Sequence, residues 1–226
     1  MTSPLDRARR AVDAALAKYG LLPVSDPEFP SVTSLVAGRP VRGSWWGHPS
    51  GQTIYRILTE LEEGRRTVCA RIIDGKMTFL GRPLARALFS IVARTRPWQL
   101  DGLPAAAGAL HRFVVRRGAV RHDQLPAPPA GVGDSWRPMI RLLESRMLLS
   151  VGSVHTEFGR HELELYSWAN RRAWYRIRAP GASESWGRGK IEEAVDRWTR
   201  SGPRLVALPW RPKRGPRRRA INRRAG

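Results

Sequence analysis

Two arginines one helical turn apart, Arg137 and Arg141, with Ser145 a further turn along, are the residue types that read and hold duplex DNA. A guanidinium pairs with guanine through two hydrogen bonds, and a hydroxyl steadies a phosphate. Arg160, at the expected turn Gly159-Arg160, has the reach of a wing tip into a minor groove. Arg211, Lys213, Arg214, Arg217, Arg218, Arg219, Arg223 and Arg224 follow one another without a carboxylate, so they would bind phosphates whatever the base sequence, by releasing condensed counterions. Trp45 and Trp46, beside Gly47-His48-Pro49, offer stacking faces for an unpaired base, with His48 as a polar group for a pocket. Adjacent side chains of an extended segment face opposite ways, which leaves one indole for a partner. The alternative for the pair is two indoles wedged between modules.

Other polar groupings carry less chemistry. Pairing about Gly159-Arg160 would place His155, Glu157, Glu162 and Glu164 on one face of a hairpin, opposite Val154, Phe158, Leu163 and Leu165. One histidine among carboxylates is a poor zinc set, so this face is read as acidic and solvated, or as docked on another part of the chain. His122-Asp123-Gln124 could orient a water, yet a turn after a short strand is where polar residues belong. The catalytic residues are unknown. With no Walker loop, Rossmann glycine pattern, nucleophile elbow or HExxH present, no nucleotide or hydrolase machinery is visible, and no cofactor or metal is expected.

Charge points the same way as the arginines. The 226 residues hold 40 Lys and Arg against 19 acids, a net charge of +21 with a pI near 11.7. Eleven of the bases follow Asp196, the last acid, and the first 196 residues are themselves +10. Such an excess fits a polyanion, and nucleic acid is the leading partner, duplex DNA foremost. Of the 40 bases 36 are arginine, a bias that GC-rich coding would also produce. The most apolar run, Leu84 to Ala93, is broken by Arg86, so no membrane partner is expected. Asp6, Arg7, Arg9 and Arg10 leave no room for a signal h-region, and Cys69 stands alone. The expected location is cytoplasmic and nucleoid-associated; the sequence leaves the oligomeric state open.

The elements that must position these residues follow from periodicity. A helix should run from Ser3-Pro4 to Tyr19 and stop at Gly20. A Pro-rich connection, a short helix near Ser31 to Val36 and a helix capped by Ser50 come next. Asp74-Gly75 signals a two-residue hairpin that sets Val68, Ala70 and Ile72 opposite Met77 and Phe79 on one apolar face. Beyond a helix over Leu84 to Val92 the order repeats. A helix from Pro104 to Arg117 precedes the strand Ala119-Val120-Arg121, a turn at His122 to Leu125, a helix from Ser135 to Arg146 and a hairpin over Leu148 to Tyr166. In that third helix Arg137, Arg141, Glu144 and Ser145 should face outward. Helix, strand, helix, helix, hairpin is the order of a winged helix. Ser31 to Leu80 should be a more irregular version, and a last helix should span Arg188 to Thr199.

Gly43-Ser-Trp-Trp-Gly-His-Pro49, Arg96-Pro-Trp-Gln99, Leu143-Glu-Ser-Arg-Met-Leu-Leu149 and Val154-His-Thr-Glu-Phe-Gly-Arg-His161 resemble a group of bacterial winged-helix proteins related to the AlkZ-type tandem winged-helix DNA glycosylases. The likeness spans about residues 40 to 170. It implies stacked winged helices and a connection to DNA. Those glycosylases carry a Gln-x-Gln or Gln-x-Asp motif for the attacking water, which this sequence lacks; His122-Asp123-Gln124 is the nearest pattern. The resemblance therefore supports fold and DNA binding more than catalysis.

The resulting expectation is an α+β, helix-rich chain with short antiparallel hairpins, built from two winged-helix-like modules and a basic disordered C-terminal tail. Its divisions are 1–96 (irregular module), 97–168 (winged helix), 169–208 (aromatic and basic extension ending in a helix) and 209–226 (tail). The expected function is duplex DNA binding in repair or regulation. The alternatives are a base-excision enzyme, with Trp45 or Trp46 supporting an extruded base and Asp123 or His48 holding water, and a non-enzymatic RNA or ribonucleoprotein binder.

Overall fold

The computed structural model describes residues 3–155, 161–178, 181–200 and 205–211. The first helix is bounded as its caps dictate. The Ser3 hydroxyl accepts from the Asp6 amide at 3.1 Å, and Gly20 closes α1 (Pro4–Tyr19) at φ 79°, a left-handed conformation that glycine adopts without strain. Then come β1 (Leu21–Pro23), α2 (Val32–Ala37), α3 (Gly51–Glu63), β2 (Thr67–Ile73) and β3 (Lys76–Gly81), with the strands in the antiparallel order β1-β3-β2. Strand β1 was not expected, because three residues within a Pro-rich stretch show no periodicity. Leu21 and Leu22 are fully buried on opposite faces of the sheet and pair with Leu80 and Phe79. With β1 in place, the first half runs helix, strand, helix, helix, hairpin, where the sequence suggested helix, helix, hairpin over Ser31 to Leu80.

Helices α4 (Arg82–Val92) and α5 (Pro97–Leu100) lead to the second set: α6 (Ala105–Arg117), β4 (Ala119–Arg121), a 3-10 turn at His122–Gln124, α7 (Arg137–Ser145), β5 (Ser150–His155) and β6 (His161–Tyr166). Its strand order, β4-β6-β5, is that of the first sheet. Helices α8 (Trp168–Trp174) and α9 (Glu184–Thr199) follow. The architecture is thus α+β and helix-rich, with two three-stranded antiparallel sheets among the described residues.

Both hairpins depart from the register expected of them. Ile73 pairs with Lys76 across the Asp74-Gly75 turn, but Arg71 pairs with Met77, Ala70 with Thr78 and Cys69 with Phe79. A bulge between Arg71 and Ile73 absorbs one residue, which lets Ile72 and Ile73 both enter the same core. Val68 and Ala70 therefore share a face with Thr78 and Leu80, and Met77 and Phe79 lie on the other. In the second hairpin His155 pairs with His161, Val154 with Glu162 and Gly152 with Glu164. The turn is centred earlier than Gly159-Arg160, so positions 162 and 164 share a face with Val154 and Gly152, opposite His155. The register therefore differs from the one that would gather the acidic cluster, of which the His155 side chain and Glu157 lie outside the described residues.

The first sheet is covered on both sides. Val12, Ala15, Val32, Ile57 and Leu61 pack with Leu22, Cys69 and Phe79 on one face; Leu84, Leu88, Ile191, Val195 and Trp198 pack with Leu21, Val68 and Leu80 on the other. Burial pushes the Cys69 thiol far up, consistent with a packing role. Helix α9 starts a turn before the expected Arg188, where the Ser183 hydroxyl accepts from the Trp186 amide at 3.2 Å. Gly187, which hid that turn in the sequence, is where α9 meets α4. A β-carbon there would lie 2.1 Å from Ser90 Oγ and 2.5 Å from the Ala87 carbonyl. The chain after Pro209 was expected to be disordered from its first residue, yet Trp210 Nε1 donates to Glu192 at 2.6 Å and Leu208 bridges to Arg211. Sheltered indole N–H groups need an acceptor, and Glu192 supplies one.

Candidate nucleic-acid interface

Helix α7 turns Ile140 and Leu143 into the second core and leaves Arg137 and Arg141 exposed, as their one-turn spacing requires. Pro138 sits in the first turn, where its missing N–H costs little. Ser145 is half-buried and donates to the Leu142 carbonyl at 2.8 Å, which ties its hydroxyl to its own helix. Glu144, expected to face outward, is 8% exposed and accepts from Arg71 Nε on β2 at 3.0 Å. The reason is tertiary: α7 packs against β2, and the edge of its polar face that meets β2 is desolvated.

That contact forms one wall of a cleft of about 250 Å³ lined by Glu62, Arg71, Arg137, Arg141, Glu144 and Gly152, among others. Burial pushes the Glu144 carboxyl above its usual range, against the pull of the Arg71 guanidinium; burial does the same to Glu62, against Arg171. Two carboxyls are thus held toward the neutral form beside three guanidinia in one cleft.

Arg171 of α8 lies against Gly152, one of the cleft residues. Its guanidinium stacks 4.0 Å from the centre of the Tyr166 ring, and its Nε donates to Ser150 Oγ at 3.2 Å. A β-carbon at Gly152 would come within 2.6 Å of Arg171 Nη2. Tyr166 donates its hydroxyl proton to Glu164, and burial together with that bond pushes the phenol far up. Glu164 is therefore bound to the molecule's own tyrosine, on whose ring Arg171 of α8 stacks. Glu162 and Glu164 are half-buried, while the His155 side chain and Glu157 of the same expected face lie outside the described residues.

The Trp45 and Trp46 indoles do not diverge. Their rings stack on each other at 4.2 Å and 23°, with Tyr55 of α3 at 5.7 Å from Trp46. The backbone between them and α3 is turned, not extended. His48 N donates to the Trp45 carbonyl at 3.1 Å, Gly51 N to the His48 carbonyl at 2.7 Å, and His48 Nδ1 accepts from the Ser50 amide at 3.1 Å. His48 is thereby a turn residue, and Ser50 makes no side-chain cap. Position 51 is tight, since a β-carbon there would lie 3.0 and 3.1 Å from the Trp46 and Trp45 carbonyls, which would have to give by a few tenths of an ångström. Trp46 is 66% exposed, so the pair is not wedged between modules.

The remaining candidates separate. Asp123 pairs with Arg121 at 3.1 Å in a largely exposed contact. Arg211 is half-exposed with Nη1 4.0 Å from Glu192. Arg160, Lys213, Arg214, Arg217, Arg218, Arg219, Arg223 and Arg224 lie outside the described residues. Gln52 and Arg56 were overlooked. They are exposed near the start of α3, the helix that corresponds to α7, with the same four-residue spacing as Arg137 and Arg141. Their signal was present in the spacing but needed β1 to identify α3 as a third helix.

Arg96-Pro-Trp-Gln99 and Leu143 to Leu149 meet in space. Gln99 Nε2 donates to the Arg146 and Met147 carbonyls at 3.0 and 2.9 Å, and Arg146 Nη1 donates to the Trp98 carbonyl at 3.0 Å. These bonds clamp the end of α7. Among the described residues no helix is long and apolar enough to cross a membrane, and no cluster of His, Cys, Asp and Glu could hold a metal ion. Comparison with family models, with curated proteins and with solved structures found no match for this chain.

Proposed function

We propose that the protein binds duplex DNA through its two winged-helix-like modules, with a role in DNA repair or regulation on the nucleoid. The observation that carries this reading is the position of Arg137 and Arg141. They are exposed on the third helix of the second module, where a winged helix meets the major groove. Gln52 and Arg56 stand at the matching place on α3, and glutamine and arginine are the partners of adenine and guanine. The net charge of +21 supplies attraction independent of sequence. Binding of the full chain to duplex DNA over a salt series tests the reading, with single-stranded DNA and structured RNA at equal salt as comparisons. A preference for structured RNA would favour the ribonucleoprotein alternative.

A second reading, base excision, has one observation behind it: Glu62 and Glu144, held toward their neutral forms in the α7 cleft beside Arg137 and Arg141. A neutral carboxyl can donate a proton to a leaving base. His48 and Asp123, the earlier candidates for holding water, are engaged in a turn and in a surface ion pair. Incubation of alkylated duplex with excess protein should then yield abasic sites, and Glu144→Gln should remove them.

A further inference from the structure

Away from the α7 cleft, two segments remote in sequence bring four arginines to one place. Arg82 and Arg86 lie one turn apart at the start of α4, and Arg176 and Arg178 follow α8; with Pro83 and Ile177 they line a cleft of about 380 Å³. All four are exposed, no carboxylate lines the cleft, and none of the four has an ion-pair partner among the described residues. Some arginines elsewhere meet acids, as Arg9 meets Asp6 and Glu60 and Arg188 meets Glu184, while others, Arg137 and Arg141 among them, also have no ion-pair partner among the described residues; what sets these four apart is their convergence on one cleft.

Solvated arginines on an Arg-rich surface would need no ligand, but the backbone at Arg176 adds an independent observation. Arg176 N donates to the Ala173 carbonyl at 3.0 Å and Ile177 N to the Arg172 carbonyl at 3.2 Å, the paired bonds of a helix ending in a left-handed residue. That residue is Arg176, at φ 53°. Glycine adopts this conformation without strain, and a residue with a β-carbon does not. The chain accepts this strain at four described non-glycine positions, Arg65, Asp74, Met147 and Arg176, and of these Arg176 has its side chain in the four-arginine cleft; strain of this kind is one of the features of ligand clamps.

We propose that Arg82, Arg86, Arg176 and Arg178 form a site for clustered phosphate groups, which in the DNA complex holds the duplex backbone outside the α7 contact. The role in the complex rests on the DNA-binding reading; the phosphate chemistry does not. Guanidinium forks grip phosphate oxygens bidentately, and four of them match two or more adjacent phosphates. The same chemistry would take a free polyphosphate, and the test separates the two sources.

The full chain is compared with Arg86→Ala/Arg178→Ala and with Arg176→Gly in three measurements: duplex DNA affinity over a salt series, calorimetric titration with inorganic tripolyphosphate, and thermal melting. Loss of two phosphate contacts should reduce the salt slope by about 2 log units per log unit of salt, and loss of one by about 1. Arg176→Gly should also melt at a higher temperature, because it relieves the strained turn while removing a contact. An unchanged slope with lost tripolyphosphate binding assigns the cleft to a free polyphosphate. Unchanged slope and unchanged tripolyphosphate binding overturn the site, and a lower melting temperature for Arg176→Gly overturns the strain argument. If the unaltered chain binds no duplex at all, the DNA reading fails, and the tripolyphosphate titration still decides the cleft.

Discussion

Arg71 and Glu144 are 73 residues apart in the chain and 3.0 Å apart in space, and their ion pair ties the third helix of the second module to the sheet of the first. Removing one partner leaves a buried charge without compensation. Arg71→Met should cost about 2 kcal/mol at neutral pH, the penalty being moderated by the part-exposed guanidinium. Glu144 already has a raised pKa, and without Arg71 it would be raised further. A carboxyl whose folded pKa lies above its unfolded value contributes most at low pH, and its contribution falls as pH rises through the folded pKa. The Arg71→Met penalty should therefore shrink between pH 7 and pH 4, as read by urea unfolding at each pH; an equal penalty at both would contradict the assignment.

Asp26 titrates in the opposite sense. Burial pushes its carboxyl up, but Lys76 Nζ at 2.7 Å and the Glu28 and Phe29 amides, each at 3.0 Å, outweigh that and hold it below its usual range. Its stabilisation is present above the unfolded pKa and is lost as pH falls through the lowered folded value. Asp26→Asn should cost about 2 kcal/mol at pH 7. The gap to the unaltered chain should narrow below about pH 4. Chemical unfolding at pH 7 and pH 3 measures that gap.

Gly187 sets the distance between α4 and α9. A β-carbon 2.1 Å from Ser90 Oγ and 2.5 Å from a backbone carbonyl forces the helices apart. Overpacking of this kind costs about 1–3 kcal/mol. Gly187→Ala should lower the melting temperature by several degrees, at about 2–4 °C per kcal/mol for a chain of this size. Gly189, with nothing within 4 Å of its position, should tolerate the same change, so the pair of melts isolates packing from helix propensity.

Trp46 contributes little to the fold and should contribute to binding. Its indole is 66% exposed over Trp45, so Trp46→Ala should leave the melting temperature nearly unchanged. A stacked base is worth about 1–3 kcal/mol, so affinity for single-stranded DNA should fall about fivefold or more. Equal single-strand affinity for both proteins, measured by anisotropy of a labelled oligonucleotide, would show that no base stacks there.

Much of the frame was legible because local chemistry and periodicity agree in it. Ser3-Pro4 and Gly20 bound α1 as their chemistry demands, and α7 keeps Arg137 and Arg141 on one face. What could not be read depends on partners distant in sequence. Strand β1 is three residues long and exists because β3 pairs with it. The bulge at Ile72 serves a core assembled from α4 and α9, and no local signal marks it. Glu144 looks like any outward residue until β2 arrives beside it. The four-arginine cleft joins residues 82 and 86 to 176 and 178, a proximity that only the folded chain supplies.

Binding of duplex DNA by the full chain and by Arg137→Ala/Arg141→Ala, over a salt series, bears most directly on the role of α7. Both arginines are exposed and, unlike Arg71, make no ion pair among the described residues, so the variant should fold as the parent does. The expected result is weaker binding at every salt concentration, with a slope lower by about 2 for two lost phosphate contacts; if one arginine reads a base, discrimination against a changed site should also fall by about 1–3 kcal/mol. Identical affinity and identical slope would mean that α7 does not meet the duplex.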